Sequence, residues 1–294
     1  MKELKESIWS LSGKAPGKTL TILGGTHGNE RTGTEVVLKL RQMIEAGALE
    51  VESGTCNLIL GNPRAILIGQ KRSGGPYSKD LNRAYHTDLL ESPPDGTYED
   101  ARAREIAPFL KQSDVVLDLH ATTNPSEPFL CCLDSPRHRK MYQWFTCDKV
   151  LTDPRFITGG KSVTTDEYTE AHGGIGICYE TGEASDVSRV DEVTHDLRGL
   201  MAHLKITGEK PRPAPLQQRE VFELVDDIRV TSRGFNFAEG WGKCSWESFR
   251  QGEVLAYHGQ SPLVMNYDGR LIFPKGPQYW EEGNRVGCLA RKVL

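Results

Sequence analysis

The sequence predicts an α/β fold, with a mixed, largely parallel sheet flanked by helices and a small β-rich C-terminal domain. Three observations carry this. Short β-branched apolar runs alternate with stretches whose apolar residues recur at helical spacing. Two of those runs end in histidine, and one ends in glutamate. After the proline-rich stretch Lys210-Pro211-Arg212-Pro213-Ala214-Pro215, only short strand-like runs follow. The expected division is therefore 1–209 for the α/β domain and 210–294 for the β-rich one.

Taken in order, Leu20–Leu23 reads as a strand. Thr34–Ile44 follows as a helix with Val36, Val37, Leu40 and Ile44 on one face. Cys56–Leu60 is the next strand and Glu99–Leu110 the next helix. Gly69–Pro94, rich in Gly, Pro and Ser, reads as a long functional loop. Val115–Leu119 is short and almost wholly apolar, as a strand buried on both faces should be. Pro136–Phe145 reads as a helix, Ile175–Gly182 as a strand ending in a carboxylate and a turn, and Val190–Leu204 as an amphipathic helix. Beyond the linker, strands are expected at Arg219–Val225, Ile228–Val230, Val254–Ala256, Leu263–Met265 and Leu271–Phe273. Asp268-Gly269 is a hairpin signal between the last two.

Bulk properties narrow the function classes. The chain has 294 residues and a formal net charge of -4, so no large basic surface for nucleic acid is expected. It contains no apolar run of about 18 residues or more, and its start, MKELKESIWSLSG, lacks a signal-peptide core. Seven cysteines, an odd number with no CxxC pair, suit a reducing compartment, and a cytoplasmic protein is expected. The adjacent Cys131 and Cys132 read as small core residues.

The chemistry concentrates at strand ends. Gly24-Gly25-Thr26-His27-Gly28-Asn29-Glu30 places a histidine and a glutamate three apart after a strand and a glycine turn. Imidazole nitrogen and carboxylate oxygen are both good zinc ligands, and a catalytic zinc takes three protein ligands. The pair alone is a weak signal, since a polar turn feeding a helix would look the same. His120 ends the Val115–Leu119 strand, where ligands collect in open α/β sheets. Asp118 lies two residues earlier on the same strand face and could orient the imidazole.

These segments resemble a known family. GGTHGNERTG (Gly24 to Gly33), GNPRA (Gly61 to Ala65), DLNR (Asp80 to Arg83) and DLHATT (Asp118 to Thr123) occur in this order. Together they resemble the aspartoacylase/succinylglutamate desuccinylase family, which is related to zinc carboxypeptidases. GGTHGNE and DLHxTT look more like the aspartoacylase branch. The resemblance runs from about Leu20 to about Tyr279. It implies a zinc-carboxypeptidase-like fold and one zinc per chain, held by His27, Glu30 and His120. It makes Glu180 the general base, with Glu183 a nearby competitor expected to be more exposed. Asn82 and Arg83 would bind a substrate carboxylate, and Tyr279 would reach the substrate from the C-terminal domain. An arginine should polarise the scissile carbonyl: Arg72, or alternatively Arg64, whose other role would be to pin the GNPRA turn.

The sequence departs from the family pattern twice. Ser73-Gly74-Gly75-Pro76 separates Arg72 from Tyr77, which the family keeps adjacent. Thr164-Thr165-Asp166 stands where aspartoacylases carry an arginine that reads the substrate's side-chain carboxylate. Asp166 should disfavour an acidic side chain unless Lys161 or Arg155 compensates. The expected activity is zinc-dependent hydrolysis of the amide bond of an N-acyl amino acid, releasing a carboxylate and the free amino acid. A zinc carboxypeptidase acting on short peptides and a non-catalytic small-molecule-binding protein are the alternatives. The expected partner is a small-molecule N-acyl amino acid, with no nucleic acid and no membrane; a homodimer is allowed.

Overall fold

A computed structural model describes residues 1–153, 163–210, 213 and 219–293. The strands are β1 (Lys2–Lys5), β2 (Ile8–Ser12), β3 (Ala15–Gly24), β4 (Ser53–Leu60), β5 (Val115–Thr122), β6 (Phe129–Cys131), β7 (Lys149–Thr152), β8 (Ile175–Glu183), β9 (Glu220–Arg229), β10 (Phe235–Phe237), β11 (Glu247–Phe249), β12 (Val254–His258), β13 (Ser261–Val264), β14 (Gly269–Ile272) and β15 (Arg285–Lys292). The helices are α1 (Arg31–Glu45), α2 (Pro63–Ile68), α3 (Thr87–Glu91), α4 (Tyr98–Gln112), α5 (Pro136–Tyr142), α6 (Thr165–Ala171) and α7 (Val190–His203).

Twelve strands form one mixed sheet in the order β1-β2-β4-β3-β5-β8-β6-β7-β9-β15-β14-β11. Its centre, β4-β3-β5-β8, is parallel. The alternation in β5 explains the layering. Val115, Leu117 and Leu119 face a core formed with α1 and α7, while Val116 faces α4 and Tyr168 of α6. Both faces are therefore covered, as a parallel sheet requires. Truncating Leu117, which has no exposure, to alanine would cost about 2–5 kcal/mol.

The linker expected at Lys210–Pro215 lies mostly outside the described residues. Across it, β9 pairs in parallel with β7, with Val150 opposite Val221 and Thr152 opposite Glu223. The C-terminal strands β9, β15, β14 and β11 thus extend the large sheet, and β10, β12 and β13 form a separate three-stranded sheet. Residues 219–230 were expected as two strands, but β9 runs unbroken through Asp226 and Asp227, both paired with β15.

The Asp268-Gly269 hairpin is not formed. β13 belongs to the small sheet with β12, whereas β14 lies between β11 and β15 in the large one. Gly269 instead allows close packing, because a Cβ there would lie 2.5 Å from the Phe249 ring and 2.6 Å from the Ala290 carbonyl oxygen. Asp268 accepts a hydrogen bond from the Gln251 amide at 2.8 Å. Helix α5 ends at Tyr142, short of the expected Phe145. The loop 69–94 contains a 3-10 turn at Leu81–Arg83 and the short α3.

Candidate metal centre and substrate cleft

The glycine motif has a steric explanation. Strand β3 delivers Gly24 against Gly33 in the first turns of α1. A Cβ on Gly24 would lie 2.1 Å from the Gly33 carbonyl oxygen, so only glycine allows the two backbones to touch. Gly25 turns the chain at φ 67°, a conformation that costs little only for glycine. The turn carries His27 to the carboxyl end of the sheet. Glu30 follows at the N-cap position of α1, its side chain making no cap hydrogen bond and so left for the site.

There the side chains converge. His27 Nδ1 lies 2.7 Å from Glu30 Oε1, and His120 Nδ1 lies 2.9 Å from Glu30 Oε2. Ligand atoms of all three residues fall within 4.8 Å of one another, and all three residues are buried. The amide of Ala121 also donates to Glu30 Oε2 at 3.0 Å. The opposite ring nitrogens are both held by carboxylates. His27 Nε2 is 2.9 Å from Asp80 Oδ1, and His120 Nε2 is 3.0 Å from Asp118 Oδ2. Metal-binding histidines almost always have such a partner, because it fixes the tautomer and the ring direction. Asp118 is fixed in turn by the hydroxyls of Thr26 at 2.9 Å and Thr165 at 2.7 Å.

The charges follow from this packing. Burial works against ionisation of Glu30, but the two imidazoles hold its carboxyl well below the usual range. For His27, burial works against the charged form. The charge of Glu30 and the hydrogen bonds to Asp80 and Glu30 outweigh it, so its pKa is raised. Burial likewise opposes ionisation of Asp80, yet its hydrogen bond to His27 and the charges of His27, Lys71 and Arg83 keep its carboxyl low.

Glu180 is different. It sits in β8 directly opposite His120 of β5, and its Oε2 is buried with no hydrogen-bond partner. Burial pushes its carboxyl up to about 7. This orphaned oxygen bears on whether a metal fits. A tetrahedral zinc with bonds of about 2.0–2.1 Å separates its ligands by about 3.4 Å. The two Nδ1 atoms lie 2.7 and 2.9 Å from the two Glu30 oxygens, ligand atoms of all three residues fall within 4.8 Å of one another, and an unpaired carboxylate oxygen lies on the neighbouring strand. The donor set therefore fits zinc.

A cleft of about 180 Å³ opens over these residues. Lys71, Arg83, Lys275 and Arg285 give it a cationic lining. Lys71 pairs with Asp80 at 3.1 Å and Arg285 with Asp227 at 3.5 Å. Lys275 has no carboxylate within 4 Å among the described residues; burial, then Arg285 and Lys71, lower its pKa. Arg83 likewise has no carboxylate within 4 Å among the described residues, its guanidinium donating to the Asn82 carbonyl. A cluster of like charges with two members unpaired is a ready receptor for an anion.

The remaining sequence candidates fall in varied places. Arg83 lines the cleft. Asn82 lines it too, but its amide is engaged, 3.3 Å from His120 Nε2 and 3.4 Å from the Thr165 amide. Arg72 is exposed and does not line the cleft; the preceding Lys71 does. Arg64 is also exposed, with its guanidinium stacked 4.1 Å from the Tyr98 ring centroid. The GNPRA turn is pinned instead by fully buried Arg102, which donates to the carbonyls of Leu60 and Gly61, each at 2.8 Å. Asn62 adds a cap to the Ala65 amide. Tyr279 stays on the exposed side of its 3-10 turn with Lys275 over its ring, and Lys275 enters the cleft. Glu183 is half-buried and faces a different surface groove, beside Arg31 and Leu67. Lys161 and Arg155 lie outside the described residues.

Sequence reasoning missed Asp80, Lys71, Lys275 and Arg285. Only Asp80 carried a signal, as the first residue of DLNR.

Known proteins resemble this chain in sequence and in fold. The succinylglutamate desuccinylase/aspartoacylase catalytic domain matches residues 16–207. An aspartoacylase from Danio rerio is 34% identical over 287 residues, covering 88% of this chain and 84% of that protein. The chain belongs to the succinylglutamate desuccinylase/aspartoacylase family. A probable aspartoacylase from Nostoc is 41% identical over 109 residues, 35% of each chain; the matches to the first curated relatives span about a third of their length. The fold is that of a succinylglutamate desuccinylase from Vibrio parahaemolyticus, with a TM-score of 0.78 at 19% identity, covering 98% of this chain and 86% of that one. Among the described residues no helix is long and apolar enough to cross a membrane.

Proposed function

We propose that this chain is a zinc-dependent amidohydrolase that removes the acyl group from an N-acyl amino acid, releasing a carboxylate and the free amino acid. The observation that carries the reading is the convergence of His27, Glu30 and His120 beside the unpaired buried Glu180. Zinc held by the three ligands, one per chain, would supply an activated water and an electrophile for the acyl oxygen. Asp80 and Asp118 orient the two imidazoles. Glu180 accepts the proton of the attacking water on its free oxygen and passes it to the leaving nitrogen. A buried carboxylate with one oxygen free suits both halves of that transfer. Arg83 offers a planar fork for the substrate's α-carboxylate, and Lys275 adds an unpaired cation to the same cleft. The free thiols suit the reducing conditions of the cytoplasm.

Metal analysis of the purified protein, followed by a hydrolysis screen of N-acetyl amino acids and dipeptides, tests the reading. Zinc at one per chain with cleavage of N-acetyl substrates is expected. Cleavage of dipeptides alone would replace the deacylase with a carboxypeptidase. A metal-loaded protein that cleaves neither would overturn the enzyme reading.

A further inference from the structure

A second cavity, also about 180 Å³, opens beside the cleft and shares Asn82, Arg83, Phe273 and Arg285 with it. Its walls are largely apolar: Cys131, Cys132, Leu151, Leu224 and Cys288. Three carboxylates of helix α6 line it, Asp166, Glu167 and Glu170. Helix α6 can approach this closely because Gly176 of β8 has no side chain; a Cβ there would lie 2.2 Å from the Asp166 carbonyl oxygen.

The three carboxylates differ in how they are satisfied. Glu170 is fully engaged by Arg137, by His138 at 2.8 Å and by the Gly176 amide at 2.8 Å. Glu167 closes a capping box, accepting from the amides of Val163 and Thr164. Asp166 accepts the Thr164 hydroxyl, at 2.6 Å on Oδ1, and its own backbone amide. Among the described residues it accepts from no charged group and has no cation within 4 Å. The cavity thus has arginines at the mouth it shares with the cleft, apolar walls, and an unpaired carboxylate.

We propose that this cavity receives the side chain of the amino-acid half of the substrate, and that the side chain is a short unbranched chain ending in an ammonium group, held by Asp166. The inference rests on the amide-hydrolase reading for the cleft. The α-carboxylate sits against Arg83 and Arg285, the methylenes run along the cysteine and leucine walls, and the ammonium meets Asp166. An acidic side chain would place like charges together in a partly desolvated site. An aromatic one would cover Asp166 without pairing it, which costs the desolvation of a charged group. Burial already raises the Asp166 carboxyl above its usual range, a penalty that a cationic partner relieves.

The test compares Nα-acetyl-L-ornithine, N-acetyl-L-norvaline and N-acetyl-L-aspartate by kcat/KM in the zinc-loaded wild type, Asp166→Asn and Asp166→Ser. Norvaline has the ornithine chain without the amine. The ornithine-to-norvaline ratio is internal to each protein and independent of its active fraction. The expected wild-type ratio is about tenfold or more, the scale of one charged hydrogen bond, falling toward one in both variants. A wild type that prefers the aspartate or norvaline substrate, or a ratio unchanged in the variants, would overturn the proposal. Calorimetric binding of free L-ornithine and L-norvaline separates this from failure of the hydrolase reading. If no substrate is cleaved but ornithine binds more tightly than norvaline only when Asp166 is present, the cavity assignment stands and the hydrolase reading falls. Equal binding of both would sink the cavity assignment alone.

Discussion

The cleft and the cavity beside it share four residues and have opposite charge. Arg83 and Arg285 line both; the cleft adds Lys71 and Lys275, and the cavity adds Asp153, Asp166, Glu167 and Glu170. One face of β8 runs from one to the other: Gly176 and Cys178 border the cavity, and Glu180, next on that face, borders the cleft. Strand residues two apart share a face, so a step of one strand repeat carries the chain from an acidic environment to a cationic one. The same contrast operates inside the cleft. Glu30 has two imidazoles and a backbone amide and is held ionised. Glu180 is as deeply buried, has an oxygen with no partner, and is pushed up to about 7. Partners, and not depth, decide which carboxylate is held ionised and which is pushed up.

The strongest way to break this division of labour is to remove a ligand. His120→Ala should lose zinc and fall to background activity, checked by metal analysis and hydrolysis rate; full zinc occupancy in the variant would contradict the ligand set. Next in size, Glu180→Gln should keep its zinc and lose kcat by about 10²-fold or more. A near-normal kcat would show that another group moves the proton. Smaller again, Asp80→Asn and Asp118→Asn should each weaken zinc binding by about 10–100-fold, read by competition with a chelator.

The subtlest effect is a pH shift. In metal-free protein, NMR of the Glu180 carboxyl carbon should show a titration near 7. Because that value lies above the unfolded one, the ionised group penalises the fold fully above about pH 7, and the penalty fades on acidification toward 4.5. Zinc loading should lower the midpoint, since a nearby cation favours the carboxylate. A midpoint unmoved by zinc would separate Glu180 from the metal site.

What was legible in the sequence was local. The turn from Gly24 to Glu30 is dictated by a backbone contact that only glycine permits, and β5 and β8 announce themselves by apolar runs ending in His120 and Glu180. Asp118 could be assigned to His120 because strand periodicity fixes their shared face. Asp80 could not be assigned to His27, since 53 positions separate them and only the tertiary fold closes that gap. Lys71 over Arg72, and Lys275 over Tyr279, are choices of which neighbour turns inward, and no period marks them. Helix α6 was missed because Thr165–Ala171 is short and mostly polar, although its capping box from Thr164 to Glu167 was a signal on the page. Asp268-Gly269 misled because a glycine in a hairpin dipeptide can equally serve close packing, here of β14 against Phe249 and Ala290.

The pairing of β7 with β9 has a consequence for motion. Phe273, Pro274, Lys275 and Arg285 come from the C-terminal part of the chain, and His27, His120 and Glu180 from the N-terminal part, yet both walls hang from one continuous ladder. Hinge closure concentrates rotation in a few residues between bodies that share no such ladder. Here, swinging the walls apart would shear the backbone hydrogen bonds between Lys149–Thr152 and Glu220–Glu223. The width of the cleft is therefore a dimension set by the pairing of the sheet.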